Sequence, residues 1–184
     1  ISGETTGDRR QWCLLLRRGA ERLRQRGTAA HNTVEIDGQD SSEVWSGFRV
    51  ARRAYPRNLR IDAAEGIISC AHDGYRRLPG QPLHRREWRF GNNSLTVWDV
   101  IEGRYSEATG RFHFHPAVSI VKSRDRALFS IALTGGGKLS CNVQHGCGQL
   151  VPSTYHPEFG LNFQNQCLEI QLNDNVSCVT FNWS

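Results

Sequence analysis

The sequence predicts an all-β fold, a large antiparallel β-sandwich. From residue 31 onward, short runs of alternating apolar and polar residues recur about every ten residues, which is typical of half-buried strands. The separators between these runs are rich in Gly, Asn, Asp and Pro, residues that favour turns. No long segment with a helical apolar period follows residue 30, so alternating strands and helices are not indicated.

The strand-like runs follow one another along the chain. The first, HNTVEID at 31–37, alternates Val34 and Ile36 with polar residues and is closed by an Asp-Gly turn. The later runs are GFRVARRAY at 47–55, NLRIDAA at 58–64, GIISCAH at 66–72, LHRREWRF at 83–90, SLTVWDVI at 94–101, RFHFHPAVSIV at 111–121, RALFSIAL at 126–133, CLEIQL at 167–172 and VSCVTFNW at 176–183.

The segment before the first strand is basic. The chain has a net charge of +5, and residues 1–30 contribute seven arginines against three acidic residues, or +4. The one plausible helix, CLLLRRGAERLRQRG at 13–27, lies here and is interrupted by Gly19. No nucleic-acid-binding module accompanies this charge, and Trp12 is its only aromatic neighbour. We therefore predict a solvated connection and no nucleic-acid partner.

No part of the sequence predicts insertion into a membrane. The chain lacks a run of about 18 apolar residues, the length that a spanning helix needs. It also lacks the basic and apolar stretches of a signal peptide. Because it begins at Ile1 and contains no Met, we expect it to be a piece of a longer protein.

The cysteines are even in number, which permits disulfides in an oxidising compartment, and their spacing leaves the pairing open. Cys70, Cys167 and Cys178 lie in apolar runs, where we expect buried free thiols. The six positions are 13, 70, 141, 147, 167 and 178.

Two glycine-containing motifs resemble a zinc site and a phosphate-binding loop, but each has a simpler explanation. In CNVQHGC at 141–147, we favour a disulfide or unpaired thiols over a zinc site, because a fourth ligand is missing. TGGGK at 134–138 is followed by Leu139 where a phosphate loop needs Ser or Thr. We therefore predict a hairpin turn there.

The run RFHFHP contains two histidines two positions apart. His113 and His115 share one face of the predicted strand, and a metal or an anionic sugar could bind them. We favour an exposed polar face of an antiparallel sheet. Phe112 and Phe114 are expected to be buried on the opposite face.

The stretch ERLRQRGTAAHNTVEIDGQDSSEVWSGFRVARRAYP at 21–56 opens its core strand with a histidine and an amide. It closely resembles the C-terminal domain of heparinase II/III-like proteins, which are bacterial polysaccharide lyases and their relatives, often found among exopolysaccharide genes. The likeness covers about residues 19–171. It continues through AHDGYRRLPGQPLHRREWRF at 71–90, LTVWDVIEG at 95–103, RFHFHPAV at 111–118 and YHPEFGLNFQNQCLEI at 155–170.

The resemblance implies a domain organisation. In that family an N-terminal α/α toroid precedes the antiparallel β-sandwich, so this chain is expected to be the C-terminal part of the sandwich with the toroid missing. Residues 1–30 would be a basic connecting segment, a remnant of the upstream part of the sandwich. Residues 31–184 would be the heparinase II/III-like C-terminal β-sandwich domain. Residues 4–18 do not match the family at this point.

The resemblance also gives His31 a role. It matches a histidine that ligates a structural metal in the family, zinc or another divalent metal, together with a histidine and an aspartate from upstream. Asn32 would support that ligand or cap the strand. The alternative is a histidine hydrogen-bonded at a sheet edge. In this chain alone His31 is one ligand, so we expect no bound metal.

The activity implied is β-elimination of a uronate-containing acidic polysaccharide, and heparan-like, alginate-like and exopolysaccharide substrates all fit. The family's catalytic Asn and Tyr lie on the toroid, and no tyrosine here matches them, so we expect no catalytic residue and no activity in this chain alone. From their charge, Arg49, Arg52 and Arg53 are predicted to bind the polyanion. The family suggests a periplasmic or secreted protein. The alternative function is a non-catalytic carbohydrate-binding or structural sandwich module.

Overall fold

Strands make up most of the regular structure, as the alternating pattern predicts. A computed structural model of the chain describes residues 19–46, 48–125, 127–158 and 161–184. Within these residues a short helix, α1, at Ala20–Arg26 and a 3₁₀ turn at Thr28–Ala30 precede the strands. The strands are β1 at Val34–Ile36, β2 at Glu43–Trp45, β3 at Arg49–Ala51, β4 at Pro56–Asp62, β5 at Ile67–His72, β6 at Leu83–Gly91, β7 at Ser94–Glu102, β8 at Ala108–His113, β9 at Val118–Lys122, β10 at Leu128–Leu133, β11 at Lys138–His145, β12 at Cys147–Tyr155, β13 at Phe163–Gln171 and β14 at Val176–Trp183.

In the described part of the chain, the strands form two larger sheets and one separate hairpin. One sheet has eight strands in the order β4-β5-β6-β7-β14-β11-β10-β9, and the other has four in the order β1-β8-β13-β12. The hairpin consists of β2 and β3. All of these pairings are antiparallel, so the predicted all-β class is confirmed.

The two larger sheets share one apolar core, which makes the fold a sandwich. Val143, Val179 and Val97 stand side by side on β11, β14 and β7 of the eight-stranded sheet. They form one buried cluster with Phe112 of β8 and Leu168 of β13, which belong to the four-stranded sheet. Removing this apolar surface from water is the main stabilising contribution to such a fold. The predicted antiparallel sandwich is thus confirmed.

A second cluster holds the first strand in place. Val34 and Ile36, the alternating apolar pair of HNTVEID, are fully buried beside Tyr75 and Ile101. The Tyr75 hydroxyl donates a hydrogen bond to the Val34 carbonyl oxygen at 2.7 Å, and burial raises the pKa of this phenol. The interaction satisfies the buried hydroxyl and ties the loop after β5 to β1.

The single strand predicted at 111–121 is wrong, because the chain leaves one sheet there and enters the other. β8 ends at His113 in the four-stranded sheet, and β9 begins at Val118 in the eight-stranded sheet. Pro116 has no N–H to donate to a sheet, and the Ala117 N–H donates instead to Nδ1 of His115 at 3.1 Å. The crossing therefore follows from local hydrogen bonding that the alternating pattern conceals.

The faces of this segment divide in the predicted sense, to different degrees. Phe112 is buried in the core, and Phe114 packs against the core while partly exposed. His115 is exposed. His113 is only half-buried, because its ring lies between β12 and the 3₁₀ turn.

Three strands were not predicted, β2, β11 and β12, because polar residues obscure their alternation. β12 is the clearest case, since it is the edge of the four-stranded sheet and tolerates Pro152 within its span. The predicted strand GFRVARRAY shortens to Arg49–Ala51. The TGGGK turn is confirmed, since residues 134–137 connect the paired strands β10 and β11.

The remaining local predictions concern the helix and the cysteines. α1 begins directly after Gly19, and residues 13–18 of the predicted helix lie outside the described residues. No helix among the described ranges has the length and apolar character to cross a membrane. The cysteines in the described part of the chain are free thiols; they are Cys70, Cys141, Cys147, Cys167 and Cys178.

Candidate functional site

A polar cavity of about 240 Å³ opens beside His31, between α1 and strands β8, β12 and β13. Among the described residues, its lining contains three imidazoles, one guanidinium, two amides and three hydroxyls, and it contains no carboxylate. The lining residues are Arg24, Gln25, Ala30, His31, His113, Ser153, Thr154, Tyr155, His156 and Asn165.

The turn before β1 places His31 at the rim of this cavity. The Thr28 N–H donates to Oδ1 of Asp40 at 2.5 Å, and the Ser41 N–H donates to Oγ1 of Thr28 at 2.7 Å. These bonds fix the 3₁₀ turn, which ends at His31 with an extended backbone. The side chain of His31 is exposed, and no described residue forms a hydrogen bond with its imidazole.

Asn32 joins the start of β1 to two other strands. Its side-chain oxygen accepts a hydrogen bond from the His113 N–H at 2.8 Å. Asn32 thus extends the contact with β8 to a position before Val34, the first paired residue of β1. Its carbonyl oxygen accepts one from Nη1 of Arg86 at 2.5 Å. The backbone beside His31 is thus held by β8 on one side and by β6 on the other.

Arg86 belongs to a buried network of charged and imidazole groups on the inner face of the eight-stranded sheet. Its Nε and Nη2 atoms donate to the two carboxylate oxygens of Asp99 at 2.7 Å and 2.9 Å. His84 Nε2 lies 2.6 Å from Asp99 Oδ1, and His72 Nε2 lies 3.0 Å from His84 Nδ1. Asp99 is fully buried, so each of these partners compensates for the loss of water.

The protonation state of this network follows from its geometry. Burial alone would raise the pKa of Asp99, but the charge of Arg86 and the hydrogen bond from His84 lower it to about 2. The ionised carboxylate only accepts, so Nε2 of His84 carries a proton and donates it to Asp99. His72 then accepts from the Gly74 N–H at 3.4 Å. Burial, followed by the nearby His84, lowers the pKa of His72 to about 4.

The cavity imidazole of His113 is occupied by local hydrogen bonds. His113 Nε2 lies 3.0 Å from the Ala29 carbonyl oxygen, and its Nδ1 lies 3.2 Å from Oγ of Ser153. Because a carbonyl only accepts, Nε2 of His113 carries the proton. Burial lowers the pKa of this ring, which favours the neutral form.

Arg24 is the guanidinium of the cavity, and its neighbours fix its position. It donates from Nε and Nη2 to Glu21 at 2.8 Å and 2.6 Å, and from Nη2 to Oγ1 of Thr154 at 2.6 Å. The hydrogen bond from Arg24 is the largest cause that lowers the pKa of Glu21 to about 2. His156 Nε2 lies 3.1 Å from the same guanidinium group and 2.9 Å from Thr154 Oγ1.

The residues around His31 do not by themselves fit a metal ion. No group of three or more His, Cys, Asp or Glu side chains in the described part of the chain has a ligating arrangement. Both ring nitrogens of His113 are engaged, and the guanidinium of Arg24 has no lone pair to offer a cation. His31 is therefore a single free imidazole among the described residues.

The predicted polyanion-binding arginines lie on or beside the β2–β3 hairpin, and none of them lines the cavity. The guanidinium carbon of Arg49 lies 4.8 Å from the centre of the Trp45 ring. Arg52 reaches Glu43 at 3.5 Å, and Arg53 is exposed. Helix α1 contacts both regions, since Arg24 lines the cavity and Arg26 donates to the Ser46 carbonyl oxygen at 3.0 Å.

The comparison with protein families concerns the same residues that form the sheets and the cavity described above. A family model described as heparinase II/III-like, C-terminal, matches residues 16–184. The chain belongs to this family. No curated protein sequence matches it. The resemblance carried by AAHNTVEIDGQDSSEVW is thus confirmed, and the match begins within the predicted connecting segment.

Solved structures show the same fold as this heparinase II/III-like domain. A mutant of the heparan sulfate lyase HepC from Pedobacter heparinus is similar with a TM-score of 0.68 and 13% identity, over 97% of this chain and 27% of that chain. HepC itself gives 0.65 and 13%, over 100% and 27%. The heparinase III BT4657 gene product with methylated lysines gives 0.64 and 14%, over 100% and 26%. The domain spans about a quarter of these lyase chains.

The sequence points to His31, Asn32 and, through RFHFHP, His113, but it does not reveal most of the cavity lining of the heparinase II/III-like domain. In the sequence Arg24 stands out only as part of a basic segment, and nothing local distinguishes His156 or Asn165. Asn165 donates to the Phe114 carbonyl oxygen at 2.7 Å, while its own buried Oδ1 has no partner among the described residues. The resemblance through YHPEFGLNFQNQCLEI was the available signal, since both residues lie within it.

Proposed function

We propose that this domain is the C-terminal β-sandwich of a longer polysaccharide lyase that acts by β-elimination on a uronate-containing acidic polysaccharide. Membership of the heparinase II/III-like family supports this, as does the fold shared with heparan sulfate lyases. The observation that carries the proposal is the His31 cavity, whose described lining offers Arg24, imidazoles and hydroxyls without a carboxylate. Such a lining suits a carboxylate or a sulfate.

The reaction requires three actions on the sugar. A base removes the C5 proton next to the uronate carboxylate, a C4–C5 double bond forms, and the C4–O bond breaks while the leaving oxygen takes up a proton. The carboxylate charge must be offset to make the C5 proton acidic. In this proposal Arg24, which Glu21 holds in position, and the hydroxyl of Thr154 orient an anionic group of the polysaccharide by hydrogen bonds.

The base and the acid are assigned to the partner domain, an N-terminal α/α toroid of the same longer protein. Burial lowers the pKa of His113 and both of its ring nitrogens are engaged within the domain, while Tyr75 is buried against Val34, so neither is placed to exchange a proton with a sugar. The 184-residue chain alone is therefore proposed to be inactive. The division at residue 30 and a periplasmic or secreted location are part of the same proposal.

A metal enters the proposal only through His31. Its unpartnered imidazole would be one ligand of zinc or another divalent metal, with the other ligands outside this chain, and Asn32 would hold its backbone. The metal would stabilise the fold rather than take part in the elimination steps derived above.

Replacing His31 with Ala tests the metal proposal without an activity assay. In the longer protein we expect metal content and melting temperature to fall together, since one ligand is lost. The same substitution in the 184-residue chain should change neither. Retention of the metal by the longer variant would contradict the role given to His31.

The elimination itself is tested on the longer protein with acidic polysaccharides. The new C4–C5 double bond next to the carboxylate absorbs in the ultraviolet, so a lyase gives rising absorbance with uronate-containing chains and none with a neutral glucan. If the longer protein binds acidic polysaccharide and gives no rise, the alternative of a non-catalytic carbohydrate-binding module is favoured instead.

A further inference from the structure

The β2–β3 hairpin exposes aromatic rings outside the sandwich. It forms a two-stranded sheet separate from both larger sheets, and its strands pair Trp45 with Arg49. Trp45 is 49% exposed and Phe48 is 67% exposed. Large aromatic side chains grouped on a surface mark binding sites more often than scattered apolar residues do.

Arginines accompany these rings. The guanidinium carbon of Arg49 lies 4.8 Å from the Trp45 ring centre, and that of Arg22 lies 4.6 Å from the Phe48 ring centre. Among the described residues, neither Arg49 nor Arg53 has a carboxylate partner, whereas Arg57 and Arg60 on the following strand do. The hairpin thus presents positive charge that the domain itself does not neutralise.

An open cleft of about 590 Å³ adjoins Trp45. Its polar lining includes Gln39, Asp40 and Glu43, whose oxygens can accept hydrogen bonds from hydroxyl groups. The buried side of the cleft is fixed by Arg77, which donates to the backbone carbonyl oxygens of Ser41, Gly74 and Asp40. An aromatic wall and acceptors therefore line the cleft, and the guanidinium group of Arg49 lies on the Trp45 ring beside it.

We propose that the hairpin and this cleft form a second binding surface for an acidic glycan, distinct from the His31 cavity. A sugar ring packs on the exposed face of Trp45, because the negative face of an aromatic ring attracts polarised C–H groups. Glu43 and Gln39 accept from its hydroxyls, and Arg49 and Arg53 contact carboxylate or sulfate groups on neighbouring units. The proposed class of polysaccharide is that of the proposed function, on which this inference rests.

Charge decides between a glycan and a covering protein domain as the occupant. The unpaired guanidinium groups of Arg49 and Arg53 would lose water against an apolar domain surface, which is unfavourable without counter-charges. A polyanion supplies those counter-charges at each repeat. Because salt screens the attraction between exposed charges, this binding should weaken as the salt concentration rises.

The test measures binding of heparan sulfate and alginate oligosaccharides to the 184-residue chain by titration calorimetry, with a neutral dextran oligosaccharide as the control ligand. Trp45→Ala and Arg49→Gln should each weaken binding by about tenfold or more. The matched control is Trp183→Ala, since Trp183 is 40% exposed on β14, in a different sheet. That control should retain the affinity, and circular dichroism should show that all three variants are folded.

Three results with the 184-residue chain would overturn the inference. These are an unchanged affinity in Trp45→Ala, an equal loss in Trp183→Ala, and no binding of either acidic oligosaccharide. In the longer protein, protection of Trp45 from a fluorescence quencher before glycan is added would show that a domain covers the hairpin, which would also overturn it.

The failure of this inference and that of the proposed function are distinguishable. If the longer protein eliminates polysaccharide and Trp45→Ala leaves KM unchanged, the hairpin surface fails and the lyase stands. If the longer protein gives no elimination while the chain binds glycan through Trp45, the hairpin surface stands and the lyase fails.

Discussion

Asp99 is the residue on which the buried polar side of the eight-stranded sheet depends. It accepts two bonds from Arg86 and one from His84, and it is fully buried. Arg86 in turn holds the carbonyl oxygen of Asn32, next to His31. A single carboxylate therefore supports both the sheet and the backbone at the candidate site.

Asp99→Asn should destabilise the domain strongly. The amide cannot offset the charge of Arg86, and breaking a buried ion pair by removing one partner costs roughly 3 to 5 kcal/mol. The free energy of unfolding in urea measures this. Glu102→Gln is the control, because Glu102 pairs with Arg85 at 3.3 Å on the surface, and it should have little effect. Equal midpoints for the two variants would contradict the account.

The stability of the folded domain should decrease as the pH is lowered through the mildly acidic range, because of His72. Its folded pKa is about 4 against an ordinary value of 6.5, so between these values the unfolded chain binds a proton that the folded chain does not. Stability is then greatest above 6.5 and declines as pH falls toward 4, by on the order of 3 kcal/mol. The pKa of Asp99 is lowered from its ordinary 3.8 to about 2, so Asp99 adds a further loss of stability as the pH falls below 3.8.

Urea unfolding at a series of pH values between about 7 and about 4.5 checks this expectation. His72→Gln should flatten much of the decline, because the glutamine does not titrate. His115 is the control position, since it is exposed, and His115→Gln should leave the decline in place. If the free energy of unfolding of the unsubstituted chain did not change with pH over this range, the pKa of His72 would not be lowered by folding.

At the scale of elements, the loop before β6 depends on close backbone approach. A Cβ atom at Gly80 would lie 1.7 Å from the carbonyl oxygen of Arg104, and the Arg104 N–H donates to the Gly80 carbonyl oxygen at 3.2 Å. The segment before β6 and the segment after β7 therefore contact each other at a position where only glycine fits. This contact closes one end of the β6–β7 hairpin.

Gly80→Ala should cost roughly 2 to 4 kcal/mol of stability, because backbone atoms must move to admit the methyl group. Thermal and urea unfolding measure the change. Gly135→Ala is the matched control in the β10–β11 turn, where a Cβ would meet nothing within 4 Å, and its effect should stay within about 0.5 kcal/mol. A Gly80 variant as stable as the Gly135 variant would contradict the packing described here.

Alternation in the sequence predicted most strands because one face of each strand is buried. Val34 and Ile36 in β1 are the simplest instance, and both are fully buried. The pattern failed where a strand has an open edge, as in β12, and where Pro116 redirects the chain between sheets. Those features depend on neighbouring strands, which local periodicity does not contain.

At the scale of the whole molecule, the cavity joins residues that are far apart in the chain. Arg24 on α1 meets Thr154 and His156 only because β12 pairs with β13 and the helix docks beside them. The spacing of residues along the sequence does not reveal such contacts, because the contacting residues lie more than a hundred positions apart. His31 and Asn32 could be found because a family motif surrounds them.

The central proposal is that this sandwich is the inactive, glycan-facing domain of a polysaccharide lyase. The most direct measurement compares ultraviolet absorbance over time for the 184-residue chain and for the longer protein, each with the same panel of uronate-containing polysaccharides. The account predicts a rise with the longer protein and none with the chain alone. A sustained rise with the chain alone would show that the sandwich carries its own base, and no rise with either would contradict the assignment as a lyase.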